Sequence, residues 1–408
     1  MTGRKFYERL VRLLCLFIPV GTARRRLRRQ LMGGIWWLQS RSGLKRFAAA
    51  AVAEKSVLLV EPNSFHGEVV PGVVRYWQDL GYRVDLLLQP SMREDGVFSH
   101  YFDPPRVFYM TRRFQRKALA LARIGEYDFL FLTTSSYPGG KKLAMASGYE
   151  LSAASYLEFL GFTPRTKYGL MMIEHGAFYI DPLGHRKYAD QGRLFMLNQL
   201  NGVPMVNPHY FGSVKITGKN RMPIFSVALR SRGTGELLCR AVRRLRGRGI
   251  TNFRVLVAGR GSSWRVPRDL VDSIWPIEGW LRFPDLWEIY ESSDFLMFML
   301  SPDPRSRKKS IFAIPGGECV AGAWQTMMGF QKPALIHSEF AASYQLDESN
   351  AILYEDDEKL DEAMERAIRM SSEEYGALQT EIKKLASQSY AESLENLKYA
   401  IGRAEAGA

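Results

Sequence analysis

Three cysteines in 408 residues, Cys15, Cys239 and Cys319, are too few and too scattered for a disulfide framework or a cysteine-rich metal site. A reducing compartment fits that usage. Six histidines show no paired helical spacing, so a zinc site is not expected. Acid is almost missing from the first fifty residues. There Glu8 stands alone against twelve Lys and Arg, so +11 of the net charge of +14 belongs to that stretch and the body is near neutral. No apolar run reaches the ~20 residues that a bilayer-spanning helix needs; Leu13 to Val20 is too short. Low-complexity segments are also missing. With 46% apolar and 24% charged residues the chain is globular, and its length suits two or three domains.

The basic arm has a pattern. Phe6, Leu10, Leu13 and Phe17 recur at helical spacing, beside Lys5, Arg9 and Arg12. Then come Arg24-Arg25-Arg26-Leu27-Arg28-Arg29 and Trp36-Trp37. An apolar wedge, an arginine cluster and tryptophans suit a helix lying on an anionic leaflet, each basic residue contributing about 1 kcal/mol. This predicts a protein held peripherally on the cytoplasmic face of the cell membrane through residues 1–31. A nucleic-acid tail, a signal peptide and a solvated helix face are the competing readings. Nothing after residue 50 extends the positive field, so a nucleic-acid partner is not expected.

After the arm, apolar strand-like runs alternate with helix-length segments. Ser56–Val60 reads as a strand buried on both faces, Asn63–Glu68 as a turn, Val69–Leu80 as a helix closed by Gly81, and Tyr82–Leu88 as the next strand. Further strands are predicted at Asp128–Thr133, Tyr168–Ile173 and Pro204–Val206. The pattern restarts near Thr217, with strands at Pro223–Leu229, Phe253–Val257, Asp294–Leu300 and Ala334–Ile336, and helices at Glu236–Leu245 and Pro284–Ser292. Ser371 to about Arg403 is helix-forming, with Leu378, Ile382 and Leu385 on one stripe. The expected fold class is α/β, with two doubly wound, Rossmann-like parallel-sheet domains facing a cleft. The expected division is arm 1–50, first domain 51–215, second domain 216–380 and C-terminal helix 381–408.

The segment Pro315-Gly316-Gly317-Glu318 points to ligand chemistry. Glycines there would expose backbone N–H groups at a helix start, where the dipole favours a negative group such as a phosphate. A tight turn is the plainer alternative.

The order of elements resembles the GT-B glycosyltransferases, especially the retaining, nucleotide-sugar-dependent type of bacterial lipopolysaccharide and capsule synthesis. His66-Gly67-Glu68, the helix after it and Leu80-Gly81-Tyr82-Arg83-Val84 look like that family's first turn. Ile173-Glu174-His175-Gly176 sits where the family has a histidine facing the sugar. Ala228-Leu229-Arg230 is similar to the family's Gly-Arg-Leu element, whose arginine holds the donor diphosphate. Val257-Ala258-Gly259-Arg260-Gly261, Ile277-Glu278-Gly279 and the stretch from Glu318 to Pro333 resemble later family motifs. Residues 55–370 carry the likeness. It departs where the second glutamate of a paired motif becomes Thr326, and where the lysine after Arg230 is missing, with Arg232, Thr234 or the basic loop 302–310 nearby.

The resemblance implies sugar transfer to a lipid-linked glycan or lipopolysaccharide-type acceptor. His175, Arg230 and Glu318 would be catalytic. Gly67, Glu68, Arg232, Gly259, Gly261, Glu278, Gly279, Lys309, Gly316, Gly317 and Thr326 would bind donor or acceptor. Fixed cations and amides can neutralise the departing diphosphate, and the Asp-x-Asp metal motif of the other major glycosyltransferase fold is missing. No metal and no cofactor beyond the nucleotide-sugar co-substrate are therefore expected. A binding protein of the same fold without turnover is the alternative.

Overall fold

The computed structural model describes residues 11, 21–144, 150–198, 202–228, 232–258, 265–277, 279, 281–302 and 322–407. A helix, α1 (Gly21–Ala49), leads into a six-stranded sheet. Its strands are β1 (Ser56–Val60), β2 (Arg83–Leu88), β3 (Arg106–Tyr109), β4 (Phe129–Leu132), β7 (Gly169–Glu174) and β8 (Leu194–Met196), after β4 comes an antiparallel hairpin, β5 (Ser136–Ala144) and β6 (Glu150–Ser155). The second sheet holds β9 (Ile224–Ala228), β10 (Arg254–Ala258), β11 (Ile274–Ile277), β12 (Phe295–Phe298), β13 (Ala334–His337) and β14 (Ala351–Tyr354). Their orders are β3-β2-β1-β4-β7-β8 and β11-β10-β9-β12-β13-β14, parallel throughout. This is one winding used twice, and the chain reverses direction across each sheet between β1 and β4 and between β9 and β12. Two Rossmann-like parallel-sheet domains are thus what the chain builds.

Helices cover the sheets: α2 (Val70–Asp79), α3 (Arg112–Leu119), α4 (Arg232–Gly247), α5 (Phe283–Ser292), α6 (Ala323–Phe330), α7 (Leu360–Arg369) and α8 (Ser372–Ala406), beside shorter turns. Alternation along β1 sends Val57 and Leu59 into one core and Leu58 and Val60 into the other. The first core runs on through Leu296, Phe298, Ala334 and Ile336 of the second sheet, so one apolar body joins the domains. The sixth strand of the first sheet is Leu194–Met196; the predicted Pro204–Val206 contributes only an isolated bridge, Met196 to Met205. Its leading proline has no N–H for a ladder.

Two segments bind the halves. α8 opens with a capping box, in which Ser371 Oγ accepts from Glu374 N–H and Glu374 Oε2 from Ser371 N–H. It then crosses from the second domain to the first. There Ser393 Oγ accepts from Asn207 N–H at 2.9 Å, Asn396 Nδ2 donates to Met205 O, and Tyr390 stacks on Tyr76. The second half of α1 is equally integrated. Phe47 is fully buried against Phe108 and Tyr127, Ser40 Oγ accepts from Thr111 N–H at 2.9 Å, and a Cβ on Gly43 would meet Tyr109 O. From Ser40 onward the expected arm is therefore part of the first domain. Residues 1–10 and 12–20 lie outside the described residues, and no described helix is long and apolar enough to cross a membrane.

Candidate active site

The carboxyl ends of β1, β4 and β7 meet where the first sheet reverses, the place where open α/β sheets bind ligands. Each strand delivers polar residues straight after its apolar run: Glu61 after β1, Thr133 to Ser136 after β4, and Glu174-His175 at the end of β7. Glu61 is fully buried and accepts from Thr133 Oγ1 (2.7 Å), Thr134 Oγ1 (2.8 Å) and Asn63 N–H (2.6 Å). Burial pushes its pKa up to about 8, outweighing those hydrogen bonds, and Glu68 nearby adds to the rise. Glu174 is equally buried, yet its pKa falls. The desolvation is overcome by His185 and Ser135, both in contact with the carboxylate, and Ser136 Oγ donates at 3.0 Å.

His175 stands between these carboxylates. Its backbone N–H donates to Glu174 Oε1 at 2.8 Å, and its ring Nε2 lies 3.2 Å from Thr134 Oγ1. Desolvation pulls its pKa down against the pull of Glu174, so the ring is neutral at physiological pH. The ring keeps a partly exposed edge and faces that of His66, with centroids 4.3 Å apart and planes at 54°. Glu68, also partly exposed, completes the set of groups a substrate can reach. Two imidazoles and a carboxylate can orient sugar hydroxyls or take a proton from one.

This cluster sits at the seam between domains. The place that a Cβ on Gly67 would occupy is already taken by Phe283 of α5 and by Met92, at 2.7–2.9 Å. Gly67 was expected to admit a ligand to the backbone; its missing side chain instead admits Phe283, a packing reason. Phe283 N–H donates to Asp95 O at 2.8 Å, a second tie across the same seam.

In the second domain Arg230, Gly259, Gly261, Glu278, Lys309, Gly316, Gly317 and Glu318 lie outside the described residues, and Arg232 is the first residue of α4. Gly279 follows β11 with φ +96°, a conformation that favours glycine. Thr326 is buried in α6, where its hydroxyl donates back to Gly322 O at 3.1 Å. It was expected beside the donor; its hydroxyl proton goes to its own helix and its oxygen remains an acceptor. Lys332, from the Gln-Lys-Pro turn, is buried and donates to Thr217 Oγ1 (2.7 Å) and Glu291 O (3.1 Å), and burial pushes its pKa down to about 8. It clips the linker between domains to α5.

Sequence reasoning had singled out His175, Gly67 and Glu68 here but missed Glu61, Thr133, Thr134 and the role of His66. The signal was an acid, and a run of hydroxyls, directly following buried strands. Among the described residues no cluster has the make-up of a metal site.

No family model matches the chain, and no curated protein matches it. Solved structures similar to it include the calicheamicin glycosyltransferase CalG4 (13% identity, 86% of this chain and 99% of that one, TM-score 0.44). The spinosyn forosaminyltransferase SpnP is similar at 11% identity, over 86% of this chain and 100% of that one, with TM-score 0.44. So is the catalytic domain of starch synthase IV from Arabidopsis thaliana bound to ADP and acarbose, at 12% identity over 84% and 100%, with TM-score 0.43. At these scores the likeness carries no functional argument.

Proposed function

We propose that this protein is a glycosyltransferase that moves a sugar from a nucleotide-sugar donor to a lipid-linked glycan or lipopolysaccharide-type acceptor. The observation that carries the reading is the His66–His175 pair with Glu68, at the point where the first sheet reverses and pressed against Phe283 of the second domain. In this reading the first domain positions the acceptor hydroxyl and the transferred sugar. Burial keeps the His175 ring neutral, and Thr134 Oγ1 on its Nε2 orients it. The donor diphosphate belongs to the second domain, with Arg230, Arg232, Lys309, Gly316, Gly317 and Glu318 as candidate contacts. Guanidinium and backbone N–H groups would take up the charge on the departing diphosphate without a metal, and retention of configuration belongs to the same proposal. Peripheral attachment at the cytoplasmic membrane face through the basic residues before the first domain completes it. Calorimetric titration with UDP-, GDP-, ADP- and CMP-sugars, repeated with Arg230→Ala and Glu318→Gln, is the test. Binding of one donor that both variants weaken is expected; no binding by the wild-type chain sinks the proposal.

A second reading, donor or glycan binding without turnover, is favoured by Thr326, which stands where the resembled family has a glutamate and so brings no carboxylate to a ribose. Donor bound but neither hydrolysed nor transferred to membrane extract is the outcome that selects it.

A further inference from the structure

A cavity of about 720 Å³ adjoins the site, walled by the loops that follow β1, β2 and β3, by the hairpin and by α1. Some arginines of the fold sit in ion pairs, as Arg106 does with Asp85, Arg243 with Asp269, Arg248 with Asp361 and Glu365, and Arg282 with Asp285. Arg112 and Arg113, at the start of α3, have no carboxylate within 4 Å and no hydrogen bond from their guanidinium groups among the described residues, and both line this cavity. The one carboxylate among the lining residues is Asp95, which is largely buried. Arg112 lies over the Tyr137 ring at 4.2 Å. Stacking occupies the face of a guanidinium and leaves its in-plane N–H groups for an anion's oxygens.

The rest of the wall is aromatic: Trp36 of α1, Tyr137 and Phe159. Beyond Trp36, the same helix exposes Trp37 (49%) and Leu38 (62%), and along Gly21–Ala49 it has many Lys and Arg but no acid. A ligand in the cavity thus lies beside exposed apolar surface of α1 and meets two adjacent cationic groups. We infer that this cavity takes the phosphate or diphosphate headgroup of an amphiphilic acceptor, with Arg112 and Arg113 on the phosphate oxygens and Trp36 against the first part of the apolar tail. The assignment deepens the glycosyltransferase reading and rests on it for the word acceptor. The glycan of such a molecule would extend from the cavity toward His66 and His175, because Asn63 of the same loop bonds Ser136 O at 2.9 Å and Glu61 Oε1 at 2.6 Å, joining the two places.

Calorimetry on the full chain tests this with a short alkyl diphosphate, inorganic diphosphate and the matching alkyl alcohol. The alkyl diphosphate is expected to bind at least about tenfold tighter than either fragment, and Arg112→Gln with Arg113→Gln to weaken it about tenfold or more with an unchanged unfolding midpoint. Trp36→Ala is expected to weaken the alkyl diphosphate and leave inorganic diphosphate as it was. Equal binding by the double-arginine variant overturns the assignment. So does inorganic diphosphate as tight as the amphiphile, which marks a free-anion site, or the alcohol as tight, which marks a plain apolar pocket. A parallel nucleotide-sugar titration separates the two claims. Donor binding without alkyl diphosphate binding sinks this inference alone, whereas the reverse supports the cavity and sinks sugar transfer.

Discussion

The two domains repeat one winding, and at the amino ends of their strands they repeat one device. In the first, Asp128 precedes β4 and its Oδ2 accepts from Ser56 N–H at the start of β1, at 2.8 Å. In the second, Asp294 precedes β12 and its Oδ2 accepts from Ile224 N–H at the start of β9, at 2.7 Å. Each aspartate ties together the two central strands between which the sheet reverses. At the carboxyl ends of its strands the first domain packs Glu61, Thr133, Thr134, Glu174 and His175 into one bonded cluster; among the described residues at the same ends of the second, Ser301 bonds Asp357 and His337 accepts from Glu339 N–H. One end of such a sheet is under pressure to hold together, and the other is where chemistry is fitted. The comparison thus separates scaffold from site without reference to any relative.

The largest expected effect lies on the shared device. Asp294→Ala strands three polar neighbours, because Asn220 N–H also donates to Oδ1, and is expected to cost about 3 kcal/mol in urea unfolding. Asp128→Ala loses the Ser56 bond and a half-exposed ion pair with Lys167, for about 2 kcal/mol. If Asp294→Ala left stability unchanged, the two amino ends would not be equivalent.

On the other side, His175→Ala is expected to lower transfer by about a hundredfold with little change in unfolding midpoint. A drop in stability with no separate loss of turnover would move His175 from site to scaffold. Glu61 gives a pH test. Its folded pKa lies near 8 and its unfolded value near 4.5, so the stability due to the bound proton is full below about 4.5 and is lost as pH rises through 8. Subtracting wild-type from Glu61→Gln stability should therefore give a difference that grows across that window, by up to about 1.4 kcal/mol per pH unit. A flat difference contradicts a buried acid held protonated. The smallest effect is expected at the seam. Gly67→Ala presses on the movable ring of Phe283 and the end of Met92 and should cost about 1 kcal/mol, whereas Gly72→Ala meets the backbone of Pro208 and should cost more, about 2 kcal/mol.

Legibility in the sequence followed burial. The eight central strands, β1, β2, β4, β7, β9, β10, β12 and β13, were all read from apolar runs, since both their faces are covered. The four outer strands were missed or misplaced: β3, β11 and β14 went unread, and β8 was set at Pro204–Val206. β3 is short and partly polar (Arg106–Tyr109) and β11 holds Pro276, so no run announces them, while β8 and β14 are apolar but only three and four residues long. The candidate site behaved the same way. His175 and the turn from His66 to Glu68 stood out because they end recognisable elements, but Glu61 looked like any acid after a strand.

From the chain alone came the alternation of strand and helix, its doubling, the long capped C-terminal helix and the basic start, all of which depend on neighbours within a few residues. Folding in space decided that Glu61, Thr134, His66 and His175 meet, that Gly67 serves Phe283, and that Arg112, lying over Tyr137, shares a cavity with Arg113 and Trp36. Those are encounters between residues up to hundreds of positions apart, and local pattern carries no record of them. Burial and the loss of water at those meeting points then set the charge states on which the chemistry turns.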